Sequence, residues 1–412
     1  MSSSLSNTVD YQRSKCIEVE GSALNVAVFS DSALPILNGV SVSIDALIQG
    51  LRDKGHSVHL FTSGFPGHKE LDPNTHRFTA INTIFAKGYP VSIPPFYPML
   101  AEFRRHKFDI IHTHTPFTVG FVGLRWAESH GIPIVSTYHT HYDKYTHYIP
   151  LLPKPYLRYK IAKHTNFYYN NVDRIITPSD ASLRWLRRHN VRKPISVVPT
   201  GIPVPRDIDQ AAARARLGAR ADQRVMLYVG RIAVEKNIGT LIKAAKIAMA
   251  EDPSLHLWFV GDGPALEGYR RMIGSMGIGD RVSFFGFVPR HEVDEFYAAA
   301  DVFVFPSMTE TQGLVVIEAM SYGLPAVVVT GGGAGSAIRN GKNGFLVKND
   351  PMELARAIGK ALENESTYNL MSQSATADAR EFSVPVMVNR VLDVYRQAIH
   401  PEEPSTEVVH AG

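Results

Sequence analysis

The sequence predicts an α/β protein of two domains, each built on a mostly parallel sheet covered by helices. Short apolar runs of strand length alternate along the chain with longer amphipathic segments, which is the pattern of βαβ units. A proline-punctuated link near residues 199–205 interrupts this alternation, which then starts again. The chain has 412 residues, roughly two to three typical domain lengths, and 44% of them are hydrophobic, so each half can form its own core.

The apolar runs place the strands. In the first half we expect strands at Asn25–Ser30, Val58–Thr62, Ile110–His112, Ile134–Tyr138, Arg174–Thr177 and Ile195–Val198. In the second half we expect them at Val225–Val229, His256–Val260, Val282–Phe285, Val302–Phe305 and Ala326–Val329. Ligands of such sheets bind outside the carboxyl ends of the strands, and with two domains these ends can face each other across a cleft.

Amphipathic segments between the strands predict the helices. They are Ser41–Lys54, Thr118–Ser129, Ile238–Ala250, Leu266–Met276, Glu292–Ala299, Val315–Ser321 and Met352–Leu362. A last helix is expected from about Val386 to Ile399, with Pro385 near its first turn, where the missing N–H costs little. We therefore expect one domain over residues 1–203, a second over 204–380, a helix over 381–400 that packs back toward the first domain, and a flexible tail over 401–412.

Composition narrows the class of protein. The single cysteine, Cys16, excludes an intramolecular disulfide and fits a reducing compartment. The first twenty residues contain no apolar signal-peptide core, and no run approaches the roughly 20 apolar residues that span a bilayer. We therefore expect a cytoplasmic protein that is soluble or lies on a membrane surface.

Charge is distributed unevenly along the chain. Residues 1–200 carry 22 Lys and Arg and 14 Asp and Glu, a balance of +8, and the remaining 21 and 25 give −4. A basic first half suggests an anionic partner such as a phospholipid surface or a phosphorylated acceptor, and a merely solvated basic face is the alternative. Nucleic acid is not expected, because no nucleic-acid-binding motif is present.

The first chemical signal follows strand Val225–Val229. Gly230-Arg231 ends the strand, and Glu235-Lys236-Asn237 opens the next helix. Two cations at such a turn suit a diphosphate, since their charge pairs with phosphoryl oxygens and the helix N-terminus adds its dipole. A salt-bridged surface turn would have the same residues.

Two further stretches lie in loops that follow strands. Gly261-Asp262-Gly263-Pro264 allows close approach of a ligand to the backbone, or only a tight turn. Glu310 and Glu318 stand eight residues apart, on either side of Gly313, whose position at a helix start offers backbone N–H groups to an anion. Two carboxylates there can accept hydrogen bonds from sugar hydroxyls, although glutamates are common on helices.

Together these stretches resemble the family 4 retaining glycosyltransferases, whose GT-B fold has two Rossmann-like domains facing a central cleft. The resemblance covers the chain from Asn25 to about Ile399. It implies that Arg231 and Lys236 bind the donor diphosphate and take part in catalysis. It further implies that Glu310 holds hydroxyls of the donor hexose as a catalytic residue, while Glu318 binds the ribose.

The resemblance also implies roles for backbone positions. Gly230 and Gly261 line the donor site, the backbone of Gly313 and Leu314 faces the phosphate, and the turn containing Val288 receives the base. In the first half, Gly39 belongs to a glycine loop near the phosphates. His139 follows a strand and takes the place of the family's active-site histidine, although a structural role would be the default for one of 17 histidines.

The resemblance implies retention of anomeric configuration, and the chain offers no evident covalent nucleophile. We expect a front-face reaction in which the leaving diphosphate helps to deprotonate the acceptor hydroxyl, and Arg231 and Lys236 stabilise its charge. No cofactor and no metal are expected. The literal Asp-x-Asp sequence, Asp207-Ile208-Asp209, is interpreted as solvated linker.

The acceptor is suggested by a subgroup. The segments 138–148 and 37–40 resemble bacterial diacylglycerol glucosyltransferases, and a related subgroup mannosylates phosphatidylinositol. A strip just downstream interleaves basic and aromatic side chains: Lys154, Tyr156, Arg158, Tyr159, Lys160 and Lys163. It could dock on an anionic leaflet, unless its tyrosines are core and its lysines only solvated. The acceptor and membrane side is expected to include Tyr142, Tyr145, Lys154, Arg158, Lys160 and Lys163.

The leading hypothesis is glucosylation of diacylglycerol from UDP-glucose at the inner face of the plasma membrane. The same chemistry on a soluble acceptor, and mannosylation of a phosphatidylinositol from GDP-mannose, are the alternatives. The sequence departs from many family members at Ser336, where they carry a glutamate, and the run Gly331–Ala337 could reshape the donor pocket. A dinucleotide oxidoreductase lacks its Gly-x-Gly-x-x-Gly fingerprint here. A non-catalytic nucleotide-sugar-binding protein is a further alternative.

Overall fold

The computed structural model describes residues 23–36, 38–82, 90–141 and 153–401. Within these ranges the chain forms two parallel sheets, each flanked by helices, which confirms the predicted α/β class. Most of the expected tail, residues 402–412, lies outside the described residues. No helix in the described ranges is long and apolar enough to cross a membrane.

The first domain is built on a seven-stranded parallel sheet of order β3-β2-β1-β6-β7-β8-β9, with a small antiparallel pair β4-β5. Its strands are β1 Asn25–Ser30, β2 Ser57–Ser63, β3 Thr75–Phe78, β4 Ala80–Ile81, β5 Val91–Ser92, β6 Ile110–Thr113, β7 Ile134–Thr137, β8 Arg174–Thr177 and β9 Ile195–Val197. Its helices are α1 Gly39–Asp53, α2 Tyr97–Phe103, α3 Thr118–His130, α4 Lys154–Asn170 and α5 Asp180–Arg188.

The second domain has a six-stranded parallel sheet of order β12-β11-β10-β13-β14-β15. Its strands are β10 Arg224–Val229, β11 Leu255–Val260, β12 Val282–Phe284, β13 Val302–Phe305, β14 Ala326–Val329 and β15 Gly344–Val347. The remaining helices are α6 Gln210–Arg216, α7 Ile238–Glu251, α8 Leu266–Ser275, α9 Arg290–Ala299, α10 Leu314–Ser321, α11 Pro351–Ala361, α12 Glu365–Ala379 and α13 Val384–Ile399.

Strand order explains where a ligand can bind. In each sheet the chain order reverses beside the first strand, so that β1 lies between β2 and β6, and β10 lies between β11 and β13. The loops that leave neighbouring strands at such a switch point turn to opposite faces and open a crevice at the carboxyl ends. The loops after β10 and β13 therefore border the crevice of the second sheet.

The last helix packs on the first domain although it follows the second. Val388 and Tyr395 of α13 are buried in one core with Ile44 and Leu47 of α1. A Cβ on Gly50 of α1 would lie 2.6 Å from a methyl group of Val388, so the two helices meet closely at that point. The helix therefore closes one face of the first sheet.

The chain crosses between the domains at two places that lie side by side. The N–H of Ile202 donates to the carbonyl of Phe382 at 2.7 Å, and the N–H of Val384 donates to the carbonyl of Ile202 at 3.2 Å. Ile202 also belongs to the core of the second domain. The two connections are thus hydrogen-bonded to each other beneath the cleft.

Some elements were not predicted from the sequence. The edge strands β3 and β15 were missed because short edge strands carry polar residues or begin with glycine, as Thr75 and Gly344 illustrate. Helices α2, α4, α5, α6 and α12 and the short pair β4-β5 were missed as well. Asp207 and Asp209 are exposed, as expected, but Asp209 is not linker: it is the N-cap of α6, and its carboxylate accepts from the N–H of Ala212 at 2.7 Å.

Candidate active site

The turn after β10 places two basic side chains at the crevice. Gly230 ends the strand and donates its N–H to the carbonyl of Val260 at 2.9 Å. A short 3-10 turn, Val234–Lys236, then leads into α7. Arg231 is about half exposed and pairs with Glu235 at 2.5 Å, so this cation is held at the surface of the turn.

Lys236 pairs with Glu310 across the switch point. The ammonium of Lys236 and the carboxylate of Glu310 form an ion pair between the loops after β10 and β13, and both side chains are largely buried. Glu310 also accepts from the hydroxyl of Ser307 at 3.1 Å. The structure therefore brings together a cation and a carboxylate that are 74 residues apart in sequence.

Two glycines shape the loop that carries Glu310, which we call the Glu310 loop (residues 306–313). Gly313 adopts a left-handed conformation with φ of 77° and precedes the first residue of α10, where a side chain would be strained. Gly333 packs against the loop: its N–H donates to the carbonyl of Glu310 at 2.7 Å, and a Cβ there would lie 1.8 Å from the carbonyl oxygen of Thr311. The glycine run Gly331–Ala337 therefore supports the Glu310 loop directly.

Glu318 is buried inside a polar cluster. Its carboxylate accepts from Arg290 at 2.8 Å and from the hydroxyl of Tyr297 at 2.9 Å. Burial raises the pKa of Glu318, and Arg290 and Tyr297 oppose that rise. Burial beside this carboxylate likewise raises the pKa of Tyr297 well above its ordinary value. A ligand hydroxyl that bound Glu318 would have to share its carboxylate with Arg290 and Tyr297.

Histidines line the first-domain wall. The two rings of His114 and His139 approach with His114 Nδ1 2.8 Å from His139 Nε2, so one of these nitrogens donates and the other accepts. The ring of His112 lies next to that of His114 at a tilt of 34°, with 4.1 Å between ring centroids, and its Nδ1 lies 2.7 Å from the hydroxyl of Tyr395. The helix α13 therefore supports the histidine wall from behind.

These imidazoles are neutral at pH 7. Burial lowers the pKa of His139 to about 4. Burial, together with the nearby His139, lowers the pKa of His112 to about 3. Burial also lowers the pKa of His114 well below its ordinary value, and repulsion from the other two rings adds to this effect. Neutral rings can still donate or accept one hydrogen bond per nitrogen.

The Glu310 loop is hydrogen-bonded to the first domain. The hydroxyl of Thr311 donates to the carbonyl of His139 at 2.7 Å, and the hydroxyl of Ser179 donates to the carbonyl of Thr311 at 2.5 Å. Gln312 forms two bonds with the backbone of Thr200: it accepts from the N–H at 2.8 Å and donates to the carbonyl at 3.0 Å. The predicted residues His139 and Glu310 thus belong to one connected site.

The predicted glycine loop is linked to the same site. Gly39 is the first residue of α1, and Asn38 caps that helix by accepting from the N–H groups of Val40 and Ser41 at 2.9 and 3.0 Å. One turn further, the hydroxyl of Ser43 lies 3.2 Å from that of Thr200, the residue that binds Gln312.

The remaining predicted donor-side residues lie at loops of the second domain. The N–H of Gly261 donates to the carbonyl of Gly286 at 2.8 Å, which joins the loop after β11 to the turn after β12. Val288 is half-buried in that turn, two residues before Arg290, which binds Glu318. Leu314 is the first residue of α10.

The predicted acceptor-side residues lie apart from this site. Arg158, Lys160 and Lys163 are exposed on α4, and among the described residues no hydrogen bond or ion pair joins them to the Glu310 loop. Lys154 begins α4. Tyr142 and Tyr145 lie outside the described residues.

Comparisons with known proteins agree on the family. Residues 37–206 match the model of Glycosyltransferase Family 4, and residues 209–378 match that of Glycosyl transferases group 1. The chain is 31% identical over 392 residues to an alpha-monoglucosyldiacylglycerol synthase of Acholeplasma laidlawii. The aligned region covers 91% of this chain and 98% of that protein.

The chain belongs to the family 4 glycosyltransferases.

Other relatives of this hexosyltransferase differ in their acceptors. An alpha-monoglucosyldiacylglycerol synthase of Streptococcus pneumoniae is 29% identical, with 91% of this chain and 86% of that protein covered. A D-inositol 3-phosphate glycosyltransferase of Thermobispora bispora is 30% identical, with 88% and 90% covered.

Solved structures share the fold. Sucrose-phosphate synthase from Thermosynechococcus elongatus superposes with a TM-score of 0.74 at 24% identity, covering 91% of this chain and 98% of that one. Anabaena HepE in complex with UDP also gives 0.74, at 21% identity, with 90% and 99% covered. The predicted GT-B architecture of this hexosyltransferase, two Rossmann-like domains facing a central cleft, is therefore confirmed.

Several residues of the site were missed by sequence reasoning. Arg290, Tyr297 and Gln312 have no motif that marks them, because their role depends on contacts with residues far away in sequence. His114 did offer a signal, since it follows β6 at the same carboxyl edge where His139 follows β7.

Proposed function

We propose that this family 4 hexosyltransferase transfers glucose from UDP-glucose to diacylglycerol, with retention of the anomeric configuration, as a cytoplasmic enzyme attached to the inner face of the plasma membrane. The observation that carries the proposal is the Glu310 loop, which bears the Lys236–Glu310 pair and is hydrogen-bonded to His139. The residues proposed to bind the donor diphosphate and its hexose thereby lie close to His139 of the first domain. Two relatives that are alpha-monoglucosyldiacylglycerol synthases favour this acceptor.

The donor assignment rests on charge and on neighbours. Lys236 and Arg231 offer two cations at a strand end near the start of α7, which suits a diphosphate. The Glu310 carboxylate beside Lys236 can accept from hexose hydroxyls. Structures of Anabaena HepE, a protein of the same fold, contain UDP and UDP-glucose, and this favours a uridine nucleotide.

The reaction would proceed on one face of the sugar. The bond between C1 and the leaving diphosphate oxygen breaks as the acceptor oxygen bonds to C1 from the same side, and the acceptor proton passes to a phosphoryl oxygen. Lys236 and Arg231 stabilise the charge that grows on the diphosphate. His139, neutral at pH 7, can accept from a hydroxyl of the transferring sugar without adding a competing charge.

Two cations suffice for this role without a metal. We therefore expect that added Mg²⁺ or Mn²⁺ does not raise the initial transfer rate, and that a several-fold increase would contradict the metal-free reaction.

The membrane contact is proposed for the outer surface formed by α4 and α5. Tyr156 and Tyr159 are exposed, which favours docking over a core role for this strip. Between the two helices lies an open groove of about 800 Å³. Three of its lining side chains are cations, Lys163, Arg188 and Arg192, and none is a carboxylate. The other lining residues are Tyr159, Ala162, Asn166, Asn170, His189 and Asn190. Each basic residue near an anionic leaflet contributes roughly 1 kcal/mol.

A mass-spectrometric transfer assay tests the proposal. The protein is given UDP-, GDP- and ADP-sugars, with and without diacylglycerol in anionic liposomes. We expect an α-linked hexosyl-diacylglycerol from UDP-glucose alone. Donor hydrolysis without a lipid product would contradict the lipid acceptor, and a product from GDP-mannose would contradict the donor. Proton NMR of the purified glycolipid distinguishes the anomers, and a β-linked product would contradict retention.

Sedimentation with liposomes tests the membrane surface separately. We expect the double variant Lys163→Glu with Arg188→Glu to bind anionic liposomes roughly tenfold or more weakly. The matched control reverses two exposed lysines of α7, Lys243 and Lys246, and should bind as the wild type does. Equal binding of both variants would contradict the α4–α5 surface.

A soluble phosphorylated acceptor is the second candidate. The relative from Thermobispora bispora is named for D-inositol 3-phosphate, and the cationic groove of α4 and α5 would also suit a phosphate. Transfer to inositol phosphates in the absence of liposomes would favour this candidate.

A further inference from the structure

Three histidines of the first domain meet away from the cleft. His59 lies in β2, His76 lies in the edge strand β3, and His106 lies in the turn between α2 and β6. Each offers one ring nitrogen, and the three nitrogens all lie within 4.8 Å of one another. Among the histidine, cysteine, aspartate and glutamate side chains of the described residues, these three lie close enough together to hold a metal ion.

Sheet register explains the meeting. His76 of β3 pairs with Phe61 of β2 in a parallel register, so the two side chains point to the same face. His59 precedes Phe61 by two residues and therefore shares that face too. His59 is four residues before the end of β2, whereas the transfer site lies at the carboxyl ends of the strands. The histidine cluster is thus a separate feature.

Aromatic rings wall the cluster. Phe61 stacks on His76 with 4.7 Å between centroids, and Phe108 meets His59 edge-on at 5.4 Å. His59 is buried, and His76 and His106 are half-buried. With apolar walls on these sides, the ring nitrogens are the polar atoms that need partners.

The nitrogens are incompletely satisfied by one another. Nδ1 of His59 lies 3.1 Å from Nε2 of His76, which is one hydrogen bond. Nε2 of His106 is buried and has no hydrogen-bond partner in the described structure, and Oε1 of Glu102 lies 3.5 Å from it. A buried ring nitrogen without a partner is costly unless something binds it.

A zinc ion would satisfy the cluster. With Zn–N bonds of about 2.0–2.1 Å in tetrahedral geometry, ligand nitrogens stand about 3.3 Å apart, close to the separation of His59 and His76. Imidazole nitrogens suit Zn²⁺ well.

We propose that His59, His76 and His106 form a binding site for one Zn²⁺ ion. The ion ties the edge strand β3 and the turn after α2 to β2, and so stabilises the outer edge of the first sheet. It takes no part in sugar transfer.

The test begins with full-length protein free of any affinity tag and stripped with a chelator. We expect one equivalent of Zn²⁺ to bind by calorimetry and to raise Tm. We expect Co²⁺ to bind in its place with the intense visible absorption of a tetrahedral site. Absence of stoichiometric binding of either ion would overturn the proposal.

Variants locate the site. We expect His106→Gln and His76→Gln each to weaken Zn²⁺ binding by roughly 100-fold or more and to abolish the Co²⁺ band and the Tm rise. His291→Gln, at an exposed histidine of α9, is the matched control, and His139→Gln tests the cleft histidines. Both should bind as the wild type does. Retained binding in both cluster variants would overturn the proposal, and His106→Gln, in a surface turn, keeps the test usable if His76→Gln fails to fold.

Discussion

The two walls of the cleft hold their polar groups in opposite ways. On the second-domain wall, charged side chains are paired, Lys236 with Glu310 and Arg290 with Glu318. On the first-domain wall, His139 belongs to a row of buried imidazoles, and burial lowers its pKa to about 4. At pH 7 the imidazole rings of the first-domain wall are neutral, whereas the charged side chains of the second-domain wall form ion pairs.

The difference indicates a division of labour. Ion pairs hold the cations of the second wall in position before a ligand arrives, so little reorganisation is needed when negative charge develops near Lys236. Neutral imidazoles on the first wall can hydrogen-bond to hydroxyls without attracting the anionic leaving group. If this comparison is right, removal of a charge should damage transfer most, and removal of a hydrogen bond between the walls should damage stability most.

The largest expected effect is that of Lys236→Ala. Loss of the cation leaves the growing charge on the leaving group unopposed, and we expect kcat to fall by roughly 10²–10³-fold. Nucleotide affinity, measured by calorimetry, should also weaken. Lys243→Ala removes an exposed lysine of α7 and should leave both unchanged. Unchanged nucleotide affinity in Lys236→Ala would contradict the role as diphosphate ligand.

Glu310→Ala should have the next largest effect. A charged hydrogen bond is worth about 1.5–3 kcal/mol, so loss of the hydroxyl acceptor should lower kcat/KM by roughly 10- to 100-fold. The far-ultraviolet circular dichroism should be unchanged, because the side chain lies in a loop. Glu363→Ala, at an exposed acid between α11 and α12, is the control. Turnover near the wild-type rate in Glu310→Ala would refute the assigned role.

Gln312→Ala breaks the contact between the walls. The variant loses two buried hydrogen bonds and leaves the backbone of Thr200 without this partner, so we expect the free energy of unfolding to fall by about 1–3 kcal/mol. Gln373→Ala, on the exposed side of α12, should change it by no more than about 0.5 kcal/mol. Denaturant unfolding measures both, and equal midpoints would show that the walls are not coupled through Gln312.

The last prediction concerns pH and acts on stability through the first wall alone. His139 has a folded-state pKa of about 4, below the ordinary value near 6.5, so between these pH values only the unfolded chain binds a proton there. The free energy of unfolding should therefore fall as pH falls through this window, by about 1.4 kcal/mol per pH unit for such a ring. The contribution is fully present above about pH 6.5.

Thermal unfolding at pH 5 and pH 7 checks this sign. His139→Gln should reduce the difference in Tm between the two pH values, whereas His291→Gln, at an exposed position, should not. A pH dependence identical in all three proteins would contradict the neutral first wall.

The sequence determined the elements of the two sheets well. Four strands, β1, β8, β13 and β14, have the predicted bounds, because each contains buried apolar residues flanked by polar segments. Strand β3 and helix α12 were missed because they carry few large apolar residues: only Phe78 is fully buried in β3, and α12 buries only Met371 and two alanines. Sequence also supplied the candidate residues of the donor side, whose spacing within single loops is local.

Only the tertiary structure decided which distant residues meet. Lys236 reaches Glu310 because β10 and β13 are neighbours at a switch point, and Thr311 reaches His139 because the two domains dock. The meeting of His59 and His76 follows from the register of β2 and β3, which no local pattern encodes. Local periodicity fixes the elements, but sheet order and domain docking fix the contacts between them, and these contacts are what make the site.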